Sequence, residues 1–219
     1  MDIHLGVGRS PSNRKHSAEL QQEIFKRDDY TCKCCGFRSE KYQEILHVDG
    51  NFENVSPKNL ITTCFFCHQC FHMEQVNAMG SGILIWMPEL RQIDLNHIAR
   101  AIYIARISQG NMAEMAKKLL EIIMKRREEV KHRLGTDDPH VLATVLSEYL
   151  PEEAYKKRQE KLDGVRLFPL DRRKIKEADL EFNQFPQILA YWRSKQGPFE
   201  GHPPVEWLPR FKDVLLKAS

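Results

Sequence analysis

Cys32-Lys33-Cys34-Cys35-Gly36 and Cys64-Phe65-Phe66-Cys67-His68 are the two stretches that decide how the first third of this chain folds. Each contains a C-x2-C turn, and two such turns supply the four corners of the tetrahedron that zinc prefers. Gly36, directly after the second cysteine, permits the tight backbone that aims amide N–H groups at sulfur. The spacing predicts one structural zinc ion on Cys32, Cys35, Cys64 and Cys67. A four-thiolate site keeps no open position, so it is structural rather than catalytic. Six cysteines offer other selections, because Cys34 sits beside Cys35 and Cys70 makes a second, overlapping C-x2-C with Cys67. Cys64 and Cys67 are preferred as the turn that enters a helix, with Cys70 one helical turn further on. The 28 residues between Cys35 and Cys64 exceed the usual zinc-ribbon spacer. Something must therefore fold inside that loop.

Around this cluster lies a chain of 219 residues, 42% of them hydrophobic, enough for one sizeable core or two small ones. Its formal charge is +3, but residues 1–85 hold nine Lys/Arg against ten Asp/Glu, a net charge near −1. A module built to grip phosphates gains affinity from each basic side chain that neutralises one. Nucleic acid is therefore an unfavoured partner. The start, Met1-Asp2-Ile3-His4, lacks the basic and apolar regions of a secretory signal. No apolar run approaches the roughly 18–20 residues of a membrane span. The expectation is a cytoplasmic protein without membrane insertion. In a reducing compartment, clustered cysteines point to metal rather than to disulfides.

Three regions follow from the pattern. Residues 1–16 read as an irregular lead-in, 17–85 as the zinc module, and 86–219 as a mainly helical region able to pack with it as one unit. Ser17 can cap a short helix that presents Leu20 and Ile24 and fails near Asp28-Asp29. Cys35-Gly36 and Asp49-Gly50-Asn51 mark turns of a hairpin-rich segment. Beyond Trp86, Leu95, Ile98, Ile102 and Ala105 recur at helical spacing, and Gly110 ends the pattern. Asn111 can cap a second helix with an apolar stripe of Met112, Met115, Leu119, Ile122 and Ile123, closed by Gly135. Pro139 suits the first turn of a third helix. Residues 152–163 read as a fourth, and shorter helices are predicted over Gln187–Ser194 and Trp207–Lys217. The basic runs Lys125-Arg126-Arg127, Lys156-Lys157-Arg158 and Arg172-Arg173-Lys174 read as solvated faces. The predicted class is α+β.

Within residues 20–75, Tyr30-Thr31-Cys32, Cys35-Gly36-Phe37, His47-Val48-Asp49-Gly50, Asn59-Leu60 and Cys64 to His68 together resemble the zinc-bearing HNH endonuclease module. That resemblance implies a ββα unit clamped by the two C-x2-C turns. It places His47 at the general base, Asn59 at the residue that orients it, and His68 at the last cation ligand. Leu46 stands where the family has a cation-binding Asp or His, and an alkyl chain has no lone pair to give. Phosphodiester cleavage relies on a held cation for transition-state stabilisation. The resemblance thus implies the fold without the activity. His47 as a hydrogen-bonded strand residue and Asn59 as a loop-ordering residue are the plainer alternatives.

The full chain, through Gly82-Ile83-Leu84-Ile85-Trp86-Met87-Pro88-Glu89-Leu90, Leu95-Asn96-His97 and Ala101-Ile102, resembles the IcmJ/DotN family of the Dot/Icm type IVB secretion system. The resemblance implies a non-enzymatic adaptor in the coupling complex of a bacterial pathogen, serving effector recruitment, protein transport and virulence. It also implies binding to the C-terminal extension of the coupling ATPase (DotL), and through it an association with the IcmS/IcmW pair at the cytoplasmic face of the inner membrane. The competing expectations are an active HNH-type endonuclease with an altered cation site, and a zinc-dependent nucleic-acid-binding module.

Overall fold

Ser17 opens the first helix: its hydroxyl accepts from Leu20 N at 3.3 Å, and α1 runs Ala18–Arg27 with Glu19 in its first turn. The computed structural model describes residues 3–8, 16–108, 110–177 and 179–202. Most of the lead-in and the helix expected over Trp207–Lys217 lie outside the described residues. After α1, β1 (Gln43–His47) and β2 (Leu60–Cys64) form an antiparallel hairpin in register from Gln43↔Cys64 to His47↔Leu60. Two short helices follow, α2 (Phe65–Phe71) and α3 (Met73–Met79). Then comes β3 (Gly82–Trp86).

The second part begins with α4 (Gln92–Arg106) and α5 (Asn111–Leu134). Next are α6 (Pro139–Thr144), capped by Asp138 and prolonged by a π turn over Val145–Tyr149, then α7 (Glu152–Lys156) and α8 (Arg158–Lys161). Three strands and a helix close the described chain: β4 (Val165–Pro169), β5 (Lys174–Glu177), β6 (Leu180–Asn183) and α9 (Phe185–Arg193). β3 pairs antiparallel with β4, from Gly82↔Pro169 to Trp86↔Val165, and β5 pairs with β6. The protein is α+β.

α4 occupies the centre. Its residues Leu95, Ile98, Ala99, Ala101, Ile102, Tyr103, Ile104 and Ala105 are all buried, and together they face every side of the helix. A helix that is apolar all round belongs in an interior. It packs on α5, α9 and β4, and also touches α2. On α5, Ala113, Ala116, Leu119 and Ile123 form the buried stripe, with Met112 partly covered beside them. The basic runs make partly buried ion pairs rather than purely solvated faces, such as Arg126 with Glu89 at 2.8 Å, Arg127 with Asp137 at 2.6 Å, and Arg173 with Glu44.

Three details differ from the sequence pattern. Residues 152–163 form two short helices, because the backbone at Lys157 (φ −91°, ψ 4°) leaves the helical path between them. Asn111 is the first residue of α5 rather than its cap, which is Gly110. The region after Trp86 also contains strands, because β4 takes its partner from residues 82–86, far back along the chain. Gly164 makes that pairing possible: a Cβ there would come within 2.5 Å of the Trp86 ring, and its φ is +85°.

α1 is fastened to the hairpin through Asp28, whose side chain is buried. Its carboxylate accepts from Arg27 at 2.9 and 3.0 Å and from Thr62 N in β2 at 2.8 Å. Burial alone would raise this carboxyl. The bonds from Arg27 and Thr62 outweigh it and hold the group below the ordinary aspartate value. Asp28→Asn is expected to lower stability by about 1–3 kcal/mol in chemical denaturation at neutral pH. Because the folded pKa is depressed, this contribution is complete above the usual aspartate value and fades as pH falls below it. The gap between wild type and variant should therefore shrink in acid, and a gap that grew instead would contradict the assignment.

Candidate metal centre

Four sulfurs meet beside α4. The Sγ atoms of Cys32, Cys35, Cys64 and Cys67 all lie within 4.8 Å of one another. Cys35 Sγ and Cys64 Sγ are 3.8 Å apart. A tetrahedral ion with sulfur bonds of about 2.3 Å requires edges of about 3.8 Å, so the spacing fits a bound metal. None of the six cysteines is in a disulfide.

Local structure dictates the arrangement. In the first turn Cys32 N donates to Phe37 O (3.0 Å) and Gly36 N to Cys32 O (2.8 Å), with Gly36 at φ +73°. Lys33 N donates to Thr62 O at 2.9 Å, docking this turn on β2. The second turn is the junction of β2 and α2. Cys64 is the last residue of β2 and the N-cap of α2, where its Sγ accepts from Cys67 N at 3.4 Å. This places the Cys64 sulfur over the first backbone N–H groups of α2.

The other two cysteines stay outside the centre. Cys70 lies one turn along α2 and donates its thiol to Phe66 O at 3.3 Å, with burial pushing its pKa up. The Cys34 thiol is pushed up to about 12, first by its contact with Cys32 and also by burial. A donor set of sulfur alone suits a soft or borderline cation rather than magnesium or calcium. The centre can hold one metal ion, enclosed and structural.

α4 supplies a second layer that the motif reading did not anticipate. Asn96 Nδ2 donates to Cys67 Sγ at 3.4 Å, and Arg100 donates to Cys64 Sγ at 2.6 Å. His97 Nε2 meets Cys35 O at 2.8 Å. One signal was available in the sequence: Arg100 is the lone charged residue in the run Ile98–Ala105.

A separate cleft of about 230 Å³ beside the hairpin is lined in part by His16, His47, Phe52 and His68. His47 is 5% exposed, and neither ring nitrogen has a hydrogen-bond partner among the described residues. Its ring stacks on His16 (5.0 Å between centroids) and meets the edge of Phe52 (5.0 Å). Phe52 also lies against His72 at 5.6 Å, and His72 against His68 at 4.5 Å. Burial, then His16, lowers the His47 pKa, while burial, then His72, lowers that of His68. Asn59 is committed elsewhere. Its amide donates to Asp49 (2.9 Å) and to Asn54 O (2.8 Å), and its oxygen accepts from Asp49 N (3.0 Å). It orders the loop after β1. Leu46 is buried on the hairpin. Among the described residues, the four cysteines are the one group of three or more potential ligands close enough to share an ion.

Fold and site together define an α+β protein built around a closed four-cysteine centre. No protein-family model matches its sequence. Over 159 residues it is 33% identical to the type 4 apparatus protein DotN of Legionella pneumophila, covering 68% of this chain and 71% of that relative. The chain belongs to the DotN family.

Elemental analysis of the purified protein is expected to find one metal ion per chain. Replacing Cys32, Cys35, Cys64 or Cys67 singly by alanine should lose it, whereas Cys34→Ala and Cys70→Ala should keep it. Full retention in all four single ligand variants would refute the assignment.

Proposed function

We propose that this chain is a non-enzymatic subunit of a type IV secretion apparatus. It acts as an adaptor that binds the C-terminal extension of the coupling ATPase (DotL), and through that complex it meets the IcmS/IcmW pair at the cytoplasmic face of the inner membrane. The observation that carries this reading is the match to type 4 apparatus protein DotN, which extends over more than two thirds of each chain. No helix among the described residues is long and apolar enough to cross a membrane. The ion we assign to the four cysteines is zinc, which is content with four thiolates in a tetrahedron and has no redox chemistry to manage.

Two features favour an adaptor over an HNH-type nuclease or a nucleic-acid-binding module. A general base must have its imidazole held and its substrate within reach. Here Asn59 is spent on its own loop, Phe52 packs against both His47 and His72, and Leu46 offers no ligand. Residues 1–85 also carry no net positive charge with which to hold a phosphate backbone.

Two measurements test the reading. Purified protein should bind the C-terminal segment of the coupling ATPase with micromolar affinity or better, and affinity purification from the native bacterium should recover that ATPase with its small acidic partners. Absence of binding in both would overturn it. Plasmid DNA incubated with the protein and Mg, Mn, Ni or Zn should stay supercoiled. Nicking that disappears in His47→Ala would restore the nuclease reading.

A further inference from the structure

A permanent cation sits at the centre of the molecule with no carboxylate partner among the described residues. Arg100 is 1% exposed. Its Nη2 donates to Cys64 Sγ at 2.6 Å and lies 3.7 Å from Cys35 Sγ. Its Nη1 donates to Asn96 O at 3.2 Å and meets His97 Nδ1 at 3.4 Å. The guanidinium carbon lies 4.2 Å from the Phe37 ring centre and 5.1 Å from that of Phe66. Burying a charge this deeply costs several kcal/mol unless an opposite charge faces it. The groups that face this one are the sulfurs, Cys64 and Cys35 first.

The two charges offset each other in part. A divalent ion held by four thiolates carries an excess of two negative charges, and one guanidinium halves it. Residues 96 and 100 share a face of α4 at i, i+4 spacing, and residue 97 adjoins it. Three neighbouring side chains of one helix therefore reach three parts of the centre: Cys67 Sγ, the Cys35 carbonyl, and Cys64 Sγ.

We infer that Arg100 is the charge-balancing and positioning residue of the metal centre, and that through it the loaded centre holds α4 in place. It touches sulfur rather than the ion, so it acts on the ligands. An N–H donated to a bound thiolate draws density from the sulfur and stabilises it as a ligand. In return, the anionic centre is what keeps a buried guanidinium, and the helix that bears it, in the interior.

The inference rests on the metal reading of the four cysteines, and metal content of the wild-type protein tests that reading by itself. Wild-type protein that binds no metal would overturn both. Given a metal-loaded wild type, Arg100→Met removes the charge at similar length, and Arg100→Lys keeps the charge but cannot reach both sulfur and Asn96. Competition with a chromogenic chelator should show Arg100→Met holding zinc about 10- to 100-fold more weakly. Arg100→Lys should fall between it and wild type. In cobalt-substituted protein, the sulfur-to-cobalt charge-transfer band should move to longer wavelength in Arg100→Met, a change that loss of packing alone would not produce. Wild-type affinity together with an unmoved band would overturn the inference. Should Arg100→Met fail to fold, Asn96→Ala and Arg100→Lys should show smaller changes of the same sign, and no change in either would overturn it. Hydrogen exchange on the wild-type protein tests the second half. Removing the metal should expose the amides of Gln92–Arg106 more than those of α5, and equal protection with and without metal would refute metal-dependent docking of α4.

Discussion

Between Cys35 and Cys64 the chain makes a loop of 28 residues whose own apolar interior is small. Ile45 and Leu60 of the loop are buried against Ile24 of α1, with Leu20 and Phe25 packed beside them. Burying an aliphatic side chain contributes about 1.5–3 kcal/mol, while ordering each residue's backbone costs about 1–2 kcal/mol. So few buried side chains cannot hold the hairpin unaided. A metal bridging the two ends of the loop changes the comparison, since a structural zinc site contributes an apparent 10–16 kcal/mol or so at neutral pH. The sulfurs do more than close the loop, because they belong to the same buried cluster as α2, α4 and α9. Removing the ion would loosen the hairpin and one wall of the main core together.

What could be read from the sequence follows from which interactions are local. Ser17, Pro139 and Gly135 declare helix ends because these signals act on atoms only a few residues away. The two C-x2-C turns are legible for the same reason, and the choice of Cys64 over Cys70 followed from the strand-to-helix junction. The pairing of β3 with β4 was not legible. Val165–Pro169 is five residues long, and its partner lies about eighty residues earlier, so only the assembled core brings the two together. The helical break at Lys157 is equally silent, because the charged stretch around it continues a helical pattern with no glycine or proline inside it.

The histidines show how similar residues can be arranged to different ends. His47, His68 and His72 lie near one another, yet Phe52 packs against two of them and Asn59, expected to orient His47, closes a loop instead. Motif spacing shows that such residues share a neighbourhood. It does not show where their side-chain hydrogen bonds go, and that is what separates a held general base from a packed ring. Asp49 is the clearest instance. It marks a turn in the sequence, and in the structure its carboxylate accepts from Asn51 N, Asn54 and Asn59.

Arg100 raises the question of why a core should contain a charge at all. Apolar side chains of similar volume are often as stabilising as a buried ion pair, so strength alone is a weak reason. Register is a better one. Each residue along a helix advances the side-chain direction by about 100°. Turning α4 by one position would carry Arg100 away from the sulfurs and bring alanine, Ala99 or Ala101, in its place. Both the anionic centre and the guanidinium would then be left buried and uncompensated. An all-aliphatic α4, greasy on every face, could slide or rotate with little penalty, because one apolar surface resembles the next. A single cation aimed at a single anionic cluster removes that freedom. On the metal reading of the four cysteines, the centre would thereby fix the rotation of the helix against which α5, α9 and β4 are all packed.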